Sequence, residues 1–330
     1  MNRRKTSLSA SLAVAACLAL LALAHQGEAI AQDWPKQTIK LIVPFTAGSG
    51  TDVVARAVAL RLSTSLGQPV IIENKPGAGG TIAANQVAKS PADGYTLLVH
   101  SSGHVVNPAI YPNLPYDTLN DLSGITTLAS LPNVLVVAPS KGFKDLKDLI
   151  AKVKAKPDAF NFASAGNGSA THINGEKFRL AAGITPTHIP FRGTPEAITE
   201  TIAGRIDWYF APIVSALPLI KDGKLQALAV GTPKRSDDLP TVPTTAEAGV
   251  PGSEYTFWVG MLAPSKTPKA IIDKLNSEVL KVLNDKEFIS KLDSIGAAPM
   301  PMSPSAFDAY IKTETESTAK LIQAAGIKAN

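Results

Sequence analysis

Four short turns hold the residue types from which an anion site is built. They are Pro44 to Asp52 (PFTAGSGTD), His100 to His104 (HSSGH), Ala163 to His172 (ASAGNGSATH) and Pro190 to Ala197 (PFRGTPEA). Each follows an apolar run that reads as a strand and leads towards a stretch that reads as a helix. The first turn of a helix carries N–H groups without intrahelical partners and about half a positive charge. Glycine lets a ligand approach the backbone, and Ser and Thr hydroxyls add donors. Such turns can hold a carboxylate or a phosphate without a buried arginine. The same residues also serve simply as helix caps. Four of them at successive strand ends leave the two readings level.

Other chemistries lack their residues. The Gly-x-Ser-x-Gly turn of a hydrolase is absent, because Gly168 directly precedes Ser169. Ser169 and His172 fall on one helical turn with no orienting acid nearby in sequence, which makes a poor triad. His-Glu-x-x-His is absent, and His100 and His104 sit in a loop with no third ligand in view, so no metal is expected. Asn74 to Ala84 (NKPGAGGTIAA) departs from the dinucleotide fingerprint, since its glycines fall at 77, 79 and 80. It reads as a tight turn with backbone close to backbone. No cofactor is expected.

The elements that position these turns alternate. Strand-like runs are TIKLIV, PVIIE, YTLLVH, NVLVVAP, FNFAS, PTHIPF, IDWYFA, LQALAVG and YTFWVGMLAP. Between them, 53–66, 146–153, 196–203 and 271–283 carry apolar residues at helical spacing. Strands alternating with helices predict parallel sheets covered on both faces. In open sheets of that kind, ligands sit beyond the carboxyl ends of the strands, which is where the four turns fall.

The chain opens with Arg3, Arg4 and Lys5, an uncharged apolar run from Leu8 to Ala24, and Ala29-Ile30-Ala31. This is the layout of a signal peptide spanning 1–31, cut before Gln32. A membrane anchor and lipidation of Cys17 are the alternatives. The apolar run is at the short limit of a span of roughly 20 residues, and Cys17 lies inside it. Cutting 31 of the 330 residues leaves 299, enough for two domains, and removes the only cysteine. The leader holds three basic residues and Glu28, so the formal charge falls from +5 to +3. The remaining lysines are scattered among acids without an aromatic-interleaved basic stripe, so nucleic acid is not an expected partner.

Five segments, WPKQTIKLIVPFTAGSGTDVVAR, VIIENKPGAGGTIAANQVAKSPADGYTLL, FNFASAGNGSATHINGEKF, HIPFRGTPEAITETIAGRIDWYF and FWVGMLAPSKTP, resemble the tripartite tricarboxylate transporter substrate-binding proteins, the Bug or TctC family. The resemblance runs from about Trp34 to near the C-terminus. It implies a two-domain, type II periplasmic-binding-protein-like α/β fold, with two doubly wound mixed sheets joined by two crossing strands around a ligand cleft. The crossings are expected near 134–139 and 257–264, giving domain 1 as 33–133 plus 260–330 and domain 2 as 134–259.

The resemblance also implies a ligand set. From domain 1 it takes Phe45, Thr46, Ala47, Gly48, Ser49, Asp52, Ser101 and Ser102. From domain 2 it takes Ser164, Gly168, Ser169, Ala170, Thr171, His172, Arg192, Gly193, Thr194 and Asp207. In the first turn the family usually has two adjacent glycines, where this chain has Gly48 and Ser49. Several positions carry a second reading: Asp52 as a helix cap, Asp207 as a partner of Arg192 or Arg205, His172 as a packing residue, and Phe45 and Phe210 as core.

The expected function is a non-enzymatic receptor, probing the periplasm as a monomer and delivering a small organic carboxylate to membrane permease subunits. The rivals are a sensory subunit feeding a histidine kinase and a periplasmic hydrolase using the same cleft.

Overall fold

The computed structural model describes residues 34–327; the expected leader, with Cys17, lies outside them. The chain forms two mixed sheets flanked by helices. In the first, β1 (Ile39–Val43) lies between and parallel to β2 (Val70–Asn74) and β3 (Thr96–Ser101). Then β10 (Phe257–Pro264) runs antiparallel between β3 and β4 (Leu122–Leu131), and β11 (Ala298–Pro299) edges β4. In the second, β6 (Asn161–Ser164) lies parallel to β7 (Thr187–Pro190) and β8 (Trp208–Pro212). There β5 (Asn133–Val137) runs antiparallel between β8 and β9 (Gln226–Val230).

Helix periodicity alone predicts parallel sheets, and the resemblance predicts mixed ones; the sheets are mixed. Besides the edge strand β11, the reversed strands are β5 and β10, each the first that the chain makes after passing from one sheet to the other. Only Pro132 separates β4 in the first sheet from β5 in the second. The sequence reading missed β4, whose Ser123, Gly124, Thr126, Thr127 and Ser130 hide a ten-residue, almost wholly buried strand. Its hydroxyls find backbone carbonyls: Thr126 Oγ1 donates to Thr127 O, and Thr127 Oγ1 to Met300 O.

Three helices matter to the cleft. The first, α1 (Gly50–Leu66), follows β1 and stops at Gly67 in the left-handed region (φ 65°). Six helices come after it, before the C-terminal group that returns to the first sheet: α2 (Thr81–Ala88), α3 (Asn107–Ile110), α4 (Leu146–Ala155), α5 (Ala170–Ala182), α6 (Thr194–Ile202) and α7 (Ile213–Lys221). The last group is α8 (Lys269–Leu283), α9 (Lys286–Asp293) and α10 (Pro304–Ala325). Helix α5 is capped by Ser169, whose side chain accepts from His172 N. Helix α6 places Pro195 in its first turn, where no N–H is needed.

The largest apolar cluster is continuous between the lobes, taking Val43 and Val259 from one sheet, Tyr209 and Ala211 from the other and Ile213 from the start of α7. Phe210 belongs to the core of the second lobe, edge-on to Phe178 and Trp208. None of the described helices is long and apolar enough to cross a membrane.

Candidate functional site

The turn after β1 is fixed by one carboxylate. Gly48 adopts φ 85°, which favours glycine, and its N–H donates to Asp52 Oδ2 at 2.9 Å. Arg56 Nε donates to the same oxygen at 2.9 Å, and Asn74 Nδ2 to Oδ1 at 2.8 Å. Asn74 Nδ2 also reaches Phe45 O, 2.9 Å. Asp52 is buried, and both its oxygens are engaged with the protein. Burial alone would raise its pKa; the hydrogen bonds from Arg56, Asn74 and Gly48 outweigh it and hold the carboxyl below the ordinary value. Asp52 thus takes its second reading, reaching back over the helix start as an acid in a capping box does.

The turn after β6 is held in a similar way by hydroxyls and a ring. Thr171 Oγ1 accepts from Ala165 N at 2.9 Å and lies 3.1 Å from Ser169 Oγ. Ser164 Oγ accepts from Gly166 N at 3.1 Å and lies 2.7 Å from His188 Nε2. His172 Nδ1 accepts from Gly168 N at 3.1 Å, and its ring stacks on His188, centroids 4.0 Å apart. His172 is therefore a packing residue beneath the turn. Burial, first, and the neighbouring His188 and Arg179 keep it neutral, its pKa well below the ordinary value.

The starts of α1, α5 and α6 converge on an inner cavity. Ser49, Thr51, Ser101, Ser169, Thr171 and Thr194 supply its polar wall, and Phe45, Ala165, Pro212 and Phe257 its apolar one. Its free volume of about 10 Å³ suits a single water. The N–H groups of Gly50, Thr51, Ala170 and Thr171 find no acceptor among the described residues. Others of the same turns are used internally: Ser49 N donates to Thr46 O, Ser169 N to Gly166 O, and Thr194 N to Ser49 Oγ.

Phe45 and Ala165 also border an outer pocket of about 630 Å³. Its wall runs from Gly77–Gly79 and Tyr111 on one lobe to Gly166, Asn167, Phe191, Arg192 and Glu196 on the other. Arg192 is exposed and forms no ion pair with a described residue. Glu196 Oε2 accepts from Thr46 Oγ1 across the cleft, 3.1 Å.

Of the expected set, Phe45, Ser49, Ser101, Ser169, Ala170, Thr171 and Thr194 meet at the inner cavity, and Arg192 lines the outer pocket. Thr46 and Gly193 meet at the contact between lobes. Ala47 and Gly48 are exposed on the rim. Ser102 accepts from Tyr255 Oη at 2.9 Å, Ser164 supports the turn from behind, and Gly168 faces Asn107.

Asp207 is a correction. It precedes β8, whereas the cleft is built from turns at the far ends of the strands, and five residues of strand span about 16 Å. Its oxygens accept from Lys141 Nζ (2.6 Å) and Asn161 N (2.8 Å), not from Arg192 or Arg205; Arg205 pairs with Glu200. Sequence reasoning missed Tyr111, Asn167, Phe191 and Glu196. It did read the glycine run as close backbone packing: a Cβ on Gly79 would lie 2.1 Å from Asn167 O of the other lobe. What it missed there was that the close approach forms the wall of the cleft.

Two mixed α/β lobes whose helix starts face one another across a cleft have the architecture of a solute-binding protein. The sequence model for "Tripartite tricarboxylate transporter family receptor" matches residues 54–327. Protein BugT of Bordetella pertussis is 36% identical over 300 residues, covering 90% of this chain and 92% of BugT. An R. palustris protein solved with adipate superposes with a TM-score of 0.86 at 35% identity, covering 89% of this chain and 99% of that one. The periplasmic binding protein BugD gives 0.85 at 33%, covering 89% of this chain and 100% of that one. MatC from Rhodopseudomonas palustris, solved with bound malate, gives 0.84 at 33%, covering 88% and 100%. The chain belongs to the tripartite tricarboxylate transporter receptor family.

Proposed function

We propose that this protein captures a small organic carboxylate in the periplasm, as a monomer, and presents it to the permease subunits of a tripartite transporter. The observation that carries this is the set of unpaired N–H groups, Gly50, Thr51, Ala170 and Thr171, at helix starts from both lobes around one cavity. Aligned helix starts favour an anion there. The inner cavity has room for a water only, so the body of the ligand belongs in the outer pocket. Its carboxylate then faces the helix starts past Phe45 and Ala165, reaching their N–H groups through the water that the inner cavity can hold.

Arg192, free at the outer pocket, fits a second carboxylate, since a guanidinium fork matches one. A dicarboxylate is therefore the preferred class, in keeping with the malate and adipate of the two relatives. Because β5 begins at Asn133 and β10 at Phe257, we assign 34–132 plus 257–327 to one domain and 133–256 to the other, one and three residues from the expected bounds. Closure contributes donors from both, so binding selects the closed form.

A thermal-shift panel of mono-, di- and tricarboxylates, aromatic acids and amino acids tests the reading. Ligand at a hundred times its Kd adds about 2.7 kcal/mol to folding stability, or about 5 °C or more for a chain this size. No shift from any acid would refute the ligand class, and conversion of an acid to product would refute the receptor.

A further inference from the structure

We propose that Gly103 and Gly193 are positioning residues for ligand capture: their missing side chains are what allow the two lobes to meet. This rests on the capture reading above and names the residues that make closure sterically possible.

Both glycines face the opposite lobe. A Cβ on Gly193 would lie 2.0 Å from Thr46 Oγ1 and 2.8 Å from Ser49 Oγ. A Cβ on Gly103 would lie 2.8 Å from Gly168 O and 3.2 Å from Ser169 Cα. Neither position needs glycine for its backbone. Gly193 is extended, with φ 179°, and Gly103 lies outside the left-handed region. What the two supply is space, and they supply it only at the interface. Gly79 also faces the other lobe but has φ 60°, so its conformation demands glycine for a separate reason.

Close approach lets direct bonds form across the cleft. Thr194 N donates to Ser49 Oγ (3.2 Å), Thr46 Oγ1 to Glu196 Oε2 (3.1 Å), Tyr111 Oη to Asn167 O (3.0 Å) and Ser215 Oγ to Gly48 O (3.1 Å). Ser49, at the departure from the family's glycine pair, thus accepts from the other lobe. An added methyl at 103 meets backbone, which no rotamer change can move aside. The lobes must then spread, and the starts of α1 and α5 no longer share one cavity. At 193 the obstacles are side-chain hydroxyls, the much closer one that of Thr46, so removing it should restore most of the fit.

Expressed without residues 1–31, the chain has no cysteine, so Gln86→Cys and Thr199→Cys, exposed sites on opposite lobes, accept a fluorescent pair specifically. Single-molecule energy transfer without ligand reads the closed fraction, and thermal unfolding reads the fold. Gly103→Ala and Gly193→Ala should each lower the closed fraction at least fivefold while the melting temperature stays within about 2 °C. Adding Thr46→Ala to Gly193→Ala should recover the closed fraction, and Thr46→Ala should not rescue Gly103→Ala. An unchanged closed fraction in both glycine variants, or rescue of both by Thr46→Ala, would overturn the proposal. Loss of fold with no rescue at 193 would overturn it as well, because the glycines would then be structural. These readouts use no ligand. A protein that fails the carboxylate panel but opens on Gly103→Ala would sink the capture reading and leave the closure assignment standing.

Discussion

Asn74 Nδ2 donates to Asp52 Oδ1 at 2.8 Å, tying the last residue of β2 to the first turn of α1. The same amide reaches Phe45 O. One side chain therefore sets the height of the glycine turn against its neighbouring strand, and Asp52 closes the turn from the other side through Gly48 N. The carboxylate that sequence alone offers as a ligand contact instead holds in place the backbone that faces the cleft.

Removing that carboxylate should cost stability and affinity together. Asp52→Ala leaves Gly48 N, Arg56 and Asn74 without their acceptor, a loss of about 2 to 3 kcal/mol for a buried, charge-assisted network. Asn74→Ala should cost about half as much. Urea unfolding checks both; a wild-type midpoint for Asp52→Ala would contradict the network.

Arg192 should behave in the opposite way. It is exposed and unpaired, so Arg192→Ala should leave stability within about 0.5 kcal/mol. It should weaken a bound dicarboxylate about 10- to 100-fold, the worth of one charge-assisted contact, and leave monocarboxylate binding unchanged. Calorimetric titration of malate against its monomethyl ester makes the comparison. Equal losses for the diacid and the ester would place the second carboxylate elsewhere.

Acid should destabilise the protein earlier than its carboxylates require. Burial lowers His104 and His188 to about 4 from the ordinary 6.5. Both are neutral in the native state, while the unfolded chain takes up their protons below about 6.5. Stability is therefore complete above pH 6.5 and falls as the pH drops from 6.5 towards 4. Each ring contributes a loss of about 2 kcal/mol by pH 5. Protonating His172 would in addition break its bond from Gly168 N in the turn beside the cleft. Unfolding midpoints at pH 7 and pH 5 test this; equal values would show that the rings are solvated.

Much of this protein is a local matter. The runs that became β1, β3, β5, β6, β8 and β10, and the hydroxyl and glycine turns after β1, β3, β6 and β7, are set by side-chain period and turn chemistry within a few residues. So is the cap on α5, where Ser169 stands three residues before His172. β4 was hidden because Gly124, Thr126 and Thr127 interrupt its buried apolar residues, and their own burial depends on what the other strands and α10 bring to them.

What the tertiary structure decided is how each polar group is used. The sequence names Ser49, Ser169, Thr171 and Thr194 as donors to one site but cannot say which N–H groups remain free. Ser49 takes the N–H of Thr194, and Thr46 meets Glu196, 150 positions away. Such partners have no common period or motif; they meet because two lobes, each built on its own sheet, present the ends of different strands to one cleft. Asp207 fails for the same reason: chain order places it beside the right strand, and only the strand's direction shows that it lies at the wrong end.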